Sequence, residues 1–228
     1  MGRILSEALG VFLLVLASLM GNHLAAALAF AVALACLASA PTGAFNPALT
    51  LALAARGRLR WKWALAFVAT QLAAALLAAT FTGLMAGHDA SHLAPDAAGA
   101  IPPAWFATLA AEAVGTAALS LAVLSVLASR RTAGSVTAPL VAGFALFALL
   151  ETFRTWTAFM NPAVLLAWGF HDLVSSLRAD SVASALPAEA VRFGAFLPWA
   201  LVVGLAQLGG AVAGWVLFRL THPEDRAS

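Results

Sequence analysis

The chain has 228 residues, of which 63% are hydrophobic and only 10% are charged. Soluble domains are nearer half apolar and a quarter charged, so this much apolar surface cannot be hidden in one core and requires lipid. The formal net charge of +2 gives no sign of nucleic-acid binding, and a single cysteine, Cys36, excludes an internal disulfide and a multi-cysteine metal site.

Apolar runs divide the chain into six predicted membrane crossings and two shorter segments. At about 20 residues for each span, the crossings are expected at 4–20, 24–40, 61–85, 105–128, 136–150 and 196–218. The runs 47–55 and 162–170 are nine residues each and too short to cross, which is typical of re-entrant elements. We therefore expect an all-α integral membrane protein that forms a single domain over 1–228.

Basic residues predict the orientation of these crossings. If the N-terminus is inside, the cytoplasmic segments carry nine of the twelve Lys and Arg residues. This distribution follows the positive-inside rule. We expect a multi-pass protein of the inner (plasma) membrane, with both termini cytoplasmic.

Three features recur in the same order along the chain. Glu-Ala-x-Gly, Asn-Pro-Ala and Gln-Leu begin at Glu7, Asn46 and Gln71 in the first half, and at Glu112, Asn161 and Gln207 in the second. With three crossings in each half, the two halves must have opposite orientations in the membrane. The sequence thus predicts an inverted repeat, with half-repeats of approximately 4–86 and 105–219.

The paired Asn-Pro-Ala motifs are the strongest functional signal. Asn is a favoured N-cap and Pro is favoured at the first helical position. Asn46-Pro47-Ala48 and Asn161-Pro162-Ala163 therefore predict two short helices whose positive ends meet near the bilayer midplane. Their amides would donate hydrogen bonds into a narrow pore, and the dipoles would repel cations. One such motif alone would indicate only a capped loop helix, but two symmetric motifs favour a channel.

These motifs resemble the aquaporin and aquaglyceroporin family from about residue 4 to residue 218. The resemblance implies six transmembrane helices and two re-entrant half-helices around one pore, with four subunits in a tetramer. It also implies that Glu7 and Glu112 brace the re-entrant loops by accepting backbone hydrogen bonds. The alternative for these two buried carboxylates is a proton relay in a coupled transporter.

The selectivity filter departs from the usual pattern of the family. The second motif is usually followed by arginine, but Val164 stands at that position here. The family's spacing puts the other filter positions at Ala26, Leu149 and Ala158, where water-selective relatives generally have an aromatic residue and a histidine at the first two. The filter is expected to be wide, apolar and uncharged, which resembles that of bacterial aquaglyceroporins associated with arsenic resistance.

Several polar residues near the predicted outer face leave alternatives open. Glu151 and Arg154 are three residues apart and could form an ion pair at the mouth, or Arg154 could replace the missing filter arginine in space. The histidines His88, His92 and His171 are expected to be solvated in outer loops. The stretch 172–192 is expected to form a lid-like outer helix.

The leading functional hypothesis is a passive, bidirectional channel for small uncharged solutes. Candidates are water, glycerol and metalloid hydroxides such as arsenite, with methylated arsenicals as a further class. The expected partners are these solutes, the lipid bilayer and three further copies of the chain in a homotetramer. Neither enzymatic activity nor a cofactor, bound metal or nucleic acid is expected. The alternatives are a proton-coupled transporter using Glu7 or Glu112, and a non-conducting structural homologue.

Overall fold

The computed structural model describes residues 2–37, 44–85, 105–127, 129, 135, 137–154, 159–179 and 182–223. Within these ranges the regular structure is helical throughout. In chain order the helices are α1 (Gly2–Met20), α2 (His23–Cys36), α3 (Pro47–Ala55), α4 (Trp61–Met85), α5 (Trp105–Leu127), α6 (Ala138–Thr152), α7 (Pro162–Ala179) and α8 (Val182–Thr221).

Four of these helices are long and apolar enough to span a bilayer by themselves. They are α1, α4, most of α5 and the part of α8 from Phe193 to Thr221. The helices α2 and α6 are also apolar but have 14 and 15 residues. The helix α3 has nine residues, as predicted for a re-entrant element. The all-α membrane architecture expected from the sequence is confirmed.

The second re-entrant helix is longer than predicted. We expected it to end near residue 170, where the apolar run stops, but α7 continues to Ala179 and has 18 residues. The helix α8 likewise begins at Val182, 14 residues before the expected start at 196. For α7 the reason is that no glycine or proline interrupts 171–179, so the helix continues beyond its apolar segment. The described parts of 172–192 are helical, as expected, but they extend α7 and α8.

Helix packing has an internal two-fold pattern. The helix α1 packs against α2, α4 and α7, while α5 packs against α6, α8 and α3. If α1, α2, α3 and α4 are exchanged with α5, α6, α7 and α8 respectively, the same pairs of helices remain in contact. The helix α2 also packs against its own counterpart, α6. This is the packing of an inverted repeat, in which α3 and α7 are the equivalent re-entrant helices.

The outer surface of the bundle is apolar, as a lipid-facing surface must be. Large hydrophobic side chains such as Leu65, Leu77, Phe106 and Leu201 are more than 60% exposed. In contrast, polar side chains at the centre are fully covered, including Glu7, Glu112, Gln71 and Gln207. The polarity of surface and interior is thus inverted relative to a soluble domain, and the buried polar residues mark the site described next.

Candidate functional site: the paired Asn-Pro-Ala segments

Each Asn-Pro-Ala motif begins a helix and caps it. The Asn46 side-chain Oδ1 accepts hydrogen bonds from the backbone N–H of Ala48 at 2.9 Å and of Leu49 at 3.4 Å. In the second motif Asn161 Oδ1 accepts from Ala163 N–H at 3.0 Å. Proline follows in both cases at the first helical position, where its missing N–H leaves no donor unpaired.

The two helix starts are joined by reciprocal hydrogen bonds. Asn46 Nδ2 donates to the carbonyl oxygen of Met160 at 2.8 Å, and Asn161 Nδ2 donates to the carbonyl oxygen of Phe45 at 3.0 Å. Both asparagines are buried. One of the two N–H groups of each amide is therefore used between the half-helices. Sequence reasoning had assigned these amides to the pore alone and missed this link.

The residue before each asparagine has a strained backbone. Phe45 has a φ of 47° and Met160 has a φ of 54°. Both values lie in the left-handed region of the backbone, which residues other than glycine rarely adopt. Such a conformation persists only where the surrounding structure enforces it. Its appearance at the same place in both halves shows that the chain must turn sharply there to bring each asparagine to the other segment.

Glu7 and Glu112 bind the backbone of these strained segments. The two carboxylate oxygens of Glu7 accept from the N–H groups of Ala44 at 3.2 Å and Phe45 at 3.1 Å. Glu112 accepts in the same way from Phe159 at 2.8 Å and Met160 at 2.7 Å. Backbone N–H groups at this depth have no water to pair with, so the carboxylates satisfy them.

A glutamine completes each carboxylate cluster. Gln71 Nε2 donates to Glu7 Oε2 and to Thr50 Oγ1, both at 2.8 Å. Gln207 Nε2 donates to Glu112 Oε2 at 3.0 Å. Thr50 lies one turn into α3, so the first cluster is also tied to its half-helix. The second half has the apolar Leu165 at the matching position and lacks this link.

The glycine of each Glu-x-x-Gly opening makes room for the strained residue. A Cβ built on Gly10 would overlap the ring of Phe45, and one built on Gly115 would lie 2.7 Å from Met160 Cε. The three-residue spacing thus serves one purpose, because the glutamate binds the backbone of the turn and the glycine accommodates its side chain. The sequence repeat showed the pattern but not this reason for it.

Three of the four predicted filter positions lie in one apolar cluster. Ala26 and Val164 are buried, and half-buried Leu149 packs against the same cluster. Ala158 lies outside the described residues. The aromatic side chains of Phe153, Phe159 and Trp168 also pack here, with ring centroids of Phe159 and Trp168 6.0 Å apart. Sequence reasoning missed these rings, although all three lie within eight residues of the second motif.

One of the alternatives for Glu151 and the prediction for His171 were wrong. Glu151 is paired with His23, at 2.9 Å between Oε1 and Nδ1, instead of with Arg154. Arg154 is exposed just beyond the end of α6. His171 is buried on α7, with Nδ1 3.0 Å from Thr82 Oγ1, instead of being solvated in a loop. His88 and His92 lie outside the described residues. No group of three potential metal ligands occurs in the described part of the chain.

Comparisons with known proteins identify the family and the fold. The family model described as "Major intrinsic protein" matches residues 2–171. A curated relative, the glycerol uptake facilitator protein of Bacillus subtilis (strain 168), is 32% identical over 126 residues, which are 52% of this chain and 45% of the relative. The aligned region thus spans less than half of that relative. The X-ray structure of the aquaglyceroporin from Plasmodium falciparum has a similar fold, with a TM-score of 0.63 and 17% identity over 100% of this chain and 99% of that one.

The fold and the facing half-helices define an integral membrane protein of the aquaporin type. The chain belongs to the major intrinsic protein family, because the match to the family model covers most of its length. The family resemblance drawn from the two motifs is thereby confirmed.

Proposed function

We propose that this protein is a passive channel for small uncharged solutes. The observation that carries the proposal is the pair of helix starts at Asn46 and Asn161, tied to each other by reciprocal hydrogen bonds. Each start carries about half a positive charge from its helix dipole, and two such ends at one point repel cations. The second N–H of each asparagine amide is left for a passing solute, since an amide nitrogen has two donors.

We propose that the filter is formed by Ala26, Leu149, Ala158 and Val164. An apolar lining without arginine admits solutes wider than water and offers surface to carbon backbones or to metalloid hydroxides. The solutes proposed are water, glycerol and arsenite, with methylated arsenicals as a further class. The name of the Bacillus subtilis relative supports glycerol, and the missing arginine supports the bulkier metalloid species.

The contacts of the two glutamates support a bracing role over proton transfer. Each carboxylate accepts N–H hydrogen bonds from two backbone groups and one glutamine, and these donors are buried except for that of Phe159, which is part-buried. A carboxylate that takes up and releases a proton in each transport cycle would have to break these hydrogen bonds every time. A proton-coupled transporter that uses Glu7 or Glu112 is the competing mechanism.

The assembly and topology belong to the same proposal. We propose a homotetramer in the plasma membrane with both termini cytoplasmic and half-repeats of approximately 4–86 and 105–219. The exposed apolar faces of α1 and α2, with Leu13, Leu28 and Val32 more than 35% exposed, can be covered by lipid or by a neighbouring subunit.

The proposal is tested with the purified wild-type protein in liposomes. Stopped-flow light scattering would measure the permeability to water, glycerol and arsenite, with and without a proton gradient that an ionophore can collapse. We expect permeability to all three solutes above that of empty liposomes, in both directions and independent of the gradient. Loss of flux when the gradient is collapsed would support the coupled transporter. No flux of any solute, from well-folded protein, would support a non-conducting homologue.

A further inference from the structure

The seam between α2 and α6 is tight near its middle. A Cβ built on Gly143 of α6 would lie 2.7 Å from Ala31 Cβ and 2.8 Å from the carbonyl oxygen of Ala27, both on α2. Such spacing means that the two backbones approach closely, as small residues allow in membrane helices. This contact is fixed, because no side chain at Gly143 can rearrange.

A second contact closes the same seam at its outer end. His23, the first residue of α2, has Nδ1 2.9 Å from Oε1 of Glu151, one residue before the end of α6. Their side chains are 41% and 43% exposed. A positive charge on His23 is disfavoured at the N-terminus of α2, and the negative charge of Glu151 is disfavoured at the C-terminus of α6. The pair therefore acts between the helices and not within them.

The two filter positions on these helices lie between the two contacts. Ala26 is between His23 and Ala27 on α2, and Leu149 is between Gly143 and Glu151 on α6. Glu151 lies eight positions after Gly143 on α6, a distance of about 12 Å along the helix at 1.5 Å for each residue. The helix segments that carry Ala26 and Leu149 are thus held at one end by backbone packing and at the other by a pair that contains a histidine.

We propose that His23 and Glu151 are positioning residues for the filter, which hold α2 and α6 at a set distance and make the passage of solutes wider than water depend on pH. The inference rests on the proposed channel function. Histidine is the side chain whose charge ordinarily changes between pH 5 and 8. Protonation turns the hydrogen bond into an ion pair with the Glu151 carboxylate and tightens the outer contact. Loss of the proton loosens that contact and widens the filter between Ala26 and Leu149.

Other charged groups at this end do not replace the pair. The outer half of α1, from Val11 to Met20, has no titratable residue, and the single one on α5 is Glu112, which is bound to the backbone of Phe159 and Met160. Beyond α6, Arg154 is exposed. On α7, which packs against α1, His171 is bonded to Thr82 and is followed by Asp172. In the described part of the chain, His23 is thus the histidine that faces a carboxylate across the α2–α6 seam.

The test is the ratio of glycerol to water permeability in proteoliposomes buffered equally on both sides between pH 5 and 8. For the wild type we expect this ratio to rise with pH by about two- to five-fold, the range that a partly exposed ion pair can supply. His23→Gln and Glu151→Gln should each give a ratio that is high and flat with pH. The exchanged pair, His23→Glu with Glu151→His, should restore the pH dependence.

His222→Gln is the matched control, because His222 directly follows the last residue of α8 and stacks on Phe218. This variant should keep the wild-type pH profile. A wild-type ratio that is flat with pH, or a His23→Gln variant that keeps the pH profile, would overturn the inference and leave the proposed channel intact. No flux in the wild type would overturn both. If single variants are poorly folded, restoration by the exchanged pair still decides the question.

Discussion

The phenyl ring of Phe45 lies against Gly10, in the space that any side chain at position 10 would occupy. Phe45 is fully buried and has a φ of 47°. Its backbone N–H is bound by Glu7, three residues before Gly10. One turn of α1 thus fixes both the backbone and the side chain of the residue that precedes the first Asn-Pro-Ala motif. The same relationship joins Gly115 and Met160 in the second half.

We predict that Gly10→Ala is more harmful than Gly115→Ala. The methyl group at position 10 meets a rigid aromatic ring, whereas the one at position 115 meets the flexible end of Met160. Overpacking of this kind costs about 1–3 kcal/mol. The measurement is the amount of folded protein in the membrane together with its thermal stability in detergent.

Gly209→Ala serves as the control for this pair, because a Cβ there meets nothing within 4 Å. It should leave folded protein at the wild-type level. A second substitution, Phe45→Leu, should partly rescue Gly10→Ala, because a smaller side chain frees space. Equal effects of Gly10→Ala and Gly209→Ala would contradict the role assigned to Gly10.

Replacing either asparagine by leucine should abolish flux. Asn46→Leu removes the N-cap of α3, which costs about 1 kcal/mol, and the hydrogen bond to Met160 O, whose buried carbonyl would be left unpaired at about 1–3 kcal/mol. Asn161→Leu should have a similar effect, since its contacts are the same in kind. The loss of flux would be measured as water and glycerol permeability, normalised to the amount of protein in the liposomes. Wild-type flux in both variants would mean that solutes pass elsewhere.

The two glutamates should tolerate an amide better than an alanine. Glu7→Gln keeps one oxygen that can accept from the Ala44 or Phe45 N–H, so we expect less folded protein but preserved flux for each folded molecule. Glu7→Ala leaves these N–H groups without an acceptor and leaves Thr50 as the acceptor for Gln71, so it should lower folded protein much further. Quantitative membrane blotting and liposome flux separate the two effects. A well-folded Glu7→Gln variant without flux would instead favour a proton-coupled mechanism.

The sequence predicted which residues repeat between the two halves, but it missed contacts that join segments distant in the chain. Glu7, Asn46 and Gln71 have counterparts in the second half, and the repeat was enough to expect a common purpose for them. The links of these residues to Phe45, Met160 and Thr50 depend on how the segments pack, and no local pattern encodes them. Likewise, His23 and Glu151 are 128 residues apart and meet only because α2 packs against α6.

Helix ends were predicted well where a capping signal coincided with a change in hydrophobicity. The helix α3 begins at Pro47, after the Asn46 cap, and ends at Ala55, before Arg56 and the left-handed Gly57. The helix α7 has a comparable start but no such stop, so hydrophobicity alone placed its end too early. The burial of His171 was missed for the same reason, because it lies on this extension of α7 and packs against α4.

The size selectivity proposed for the filter depends most directly on Val164, the residue that follows the second motif. Val164→Arg places the family's usual residue in the apolar cluster that contains Ala26, adding a long side chain and a positive charge. If the filter is wide and apolar, this substitution narrows it, and passage of glycerol and arsenite should fall far more than passage of water. Size alone sets that order, because water is the smallest of the three solutes.

The measurement is stopped-flow permeability of proteoliposomes to water, glycerol and arsenite for the wild type and Val164→Arg, with Val164→Ala as a control that adds neither length nor charge. We predict that the ratios of glycerol and arsenite to water permeability drop at least about ten-fold in Val164→Arg, a change of about 1.4 kcal/mol in barrier height, and stay near wild type in Val164→Ala. An equal reduction for all three solutes, with folded protein unchanged, would contradict the assignment of Val164 to a size-selective filter.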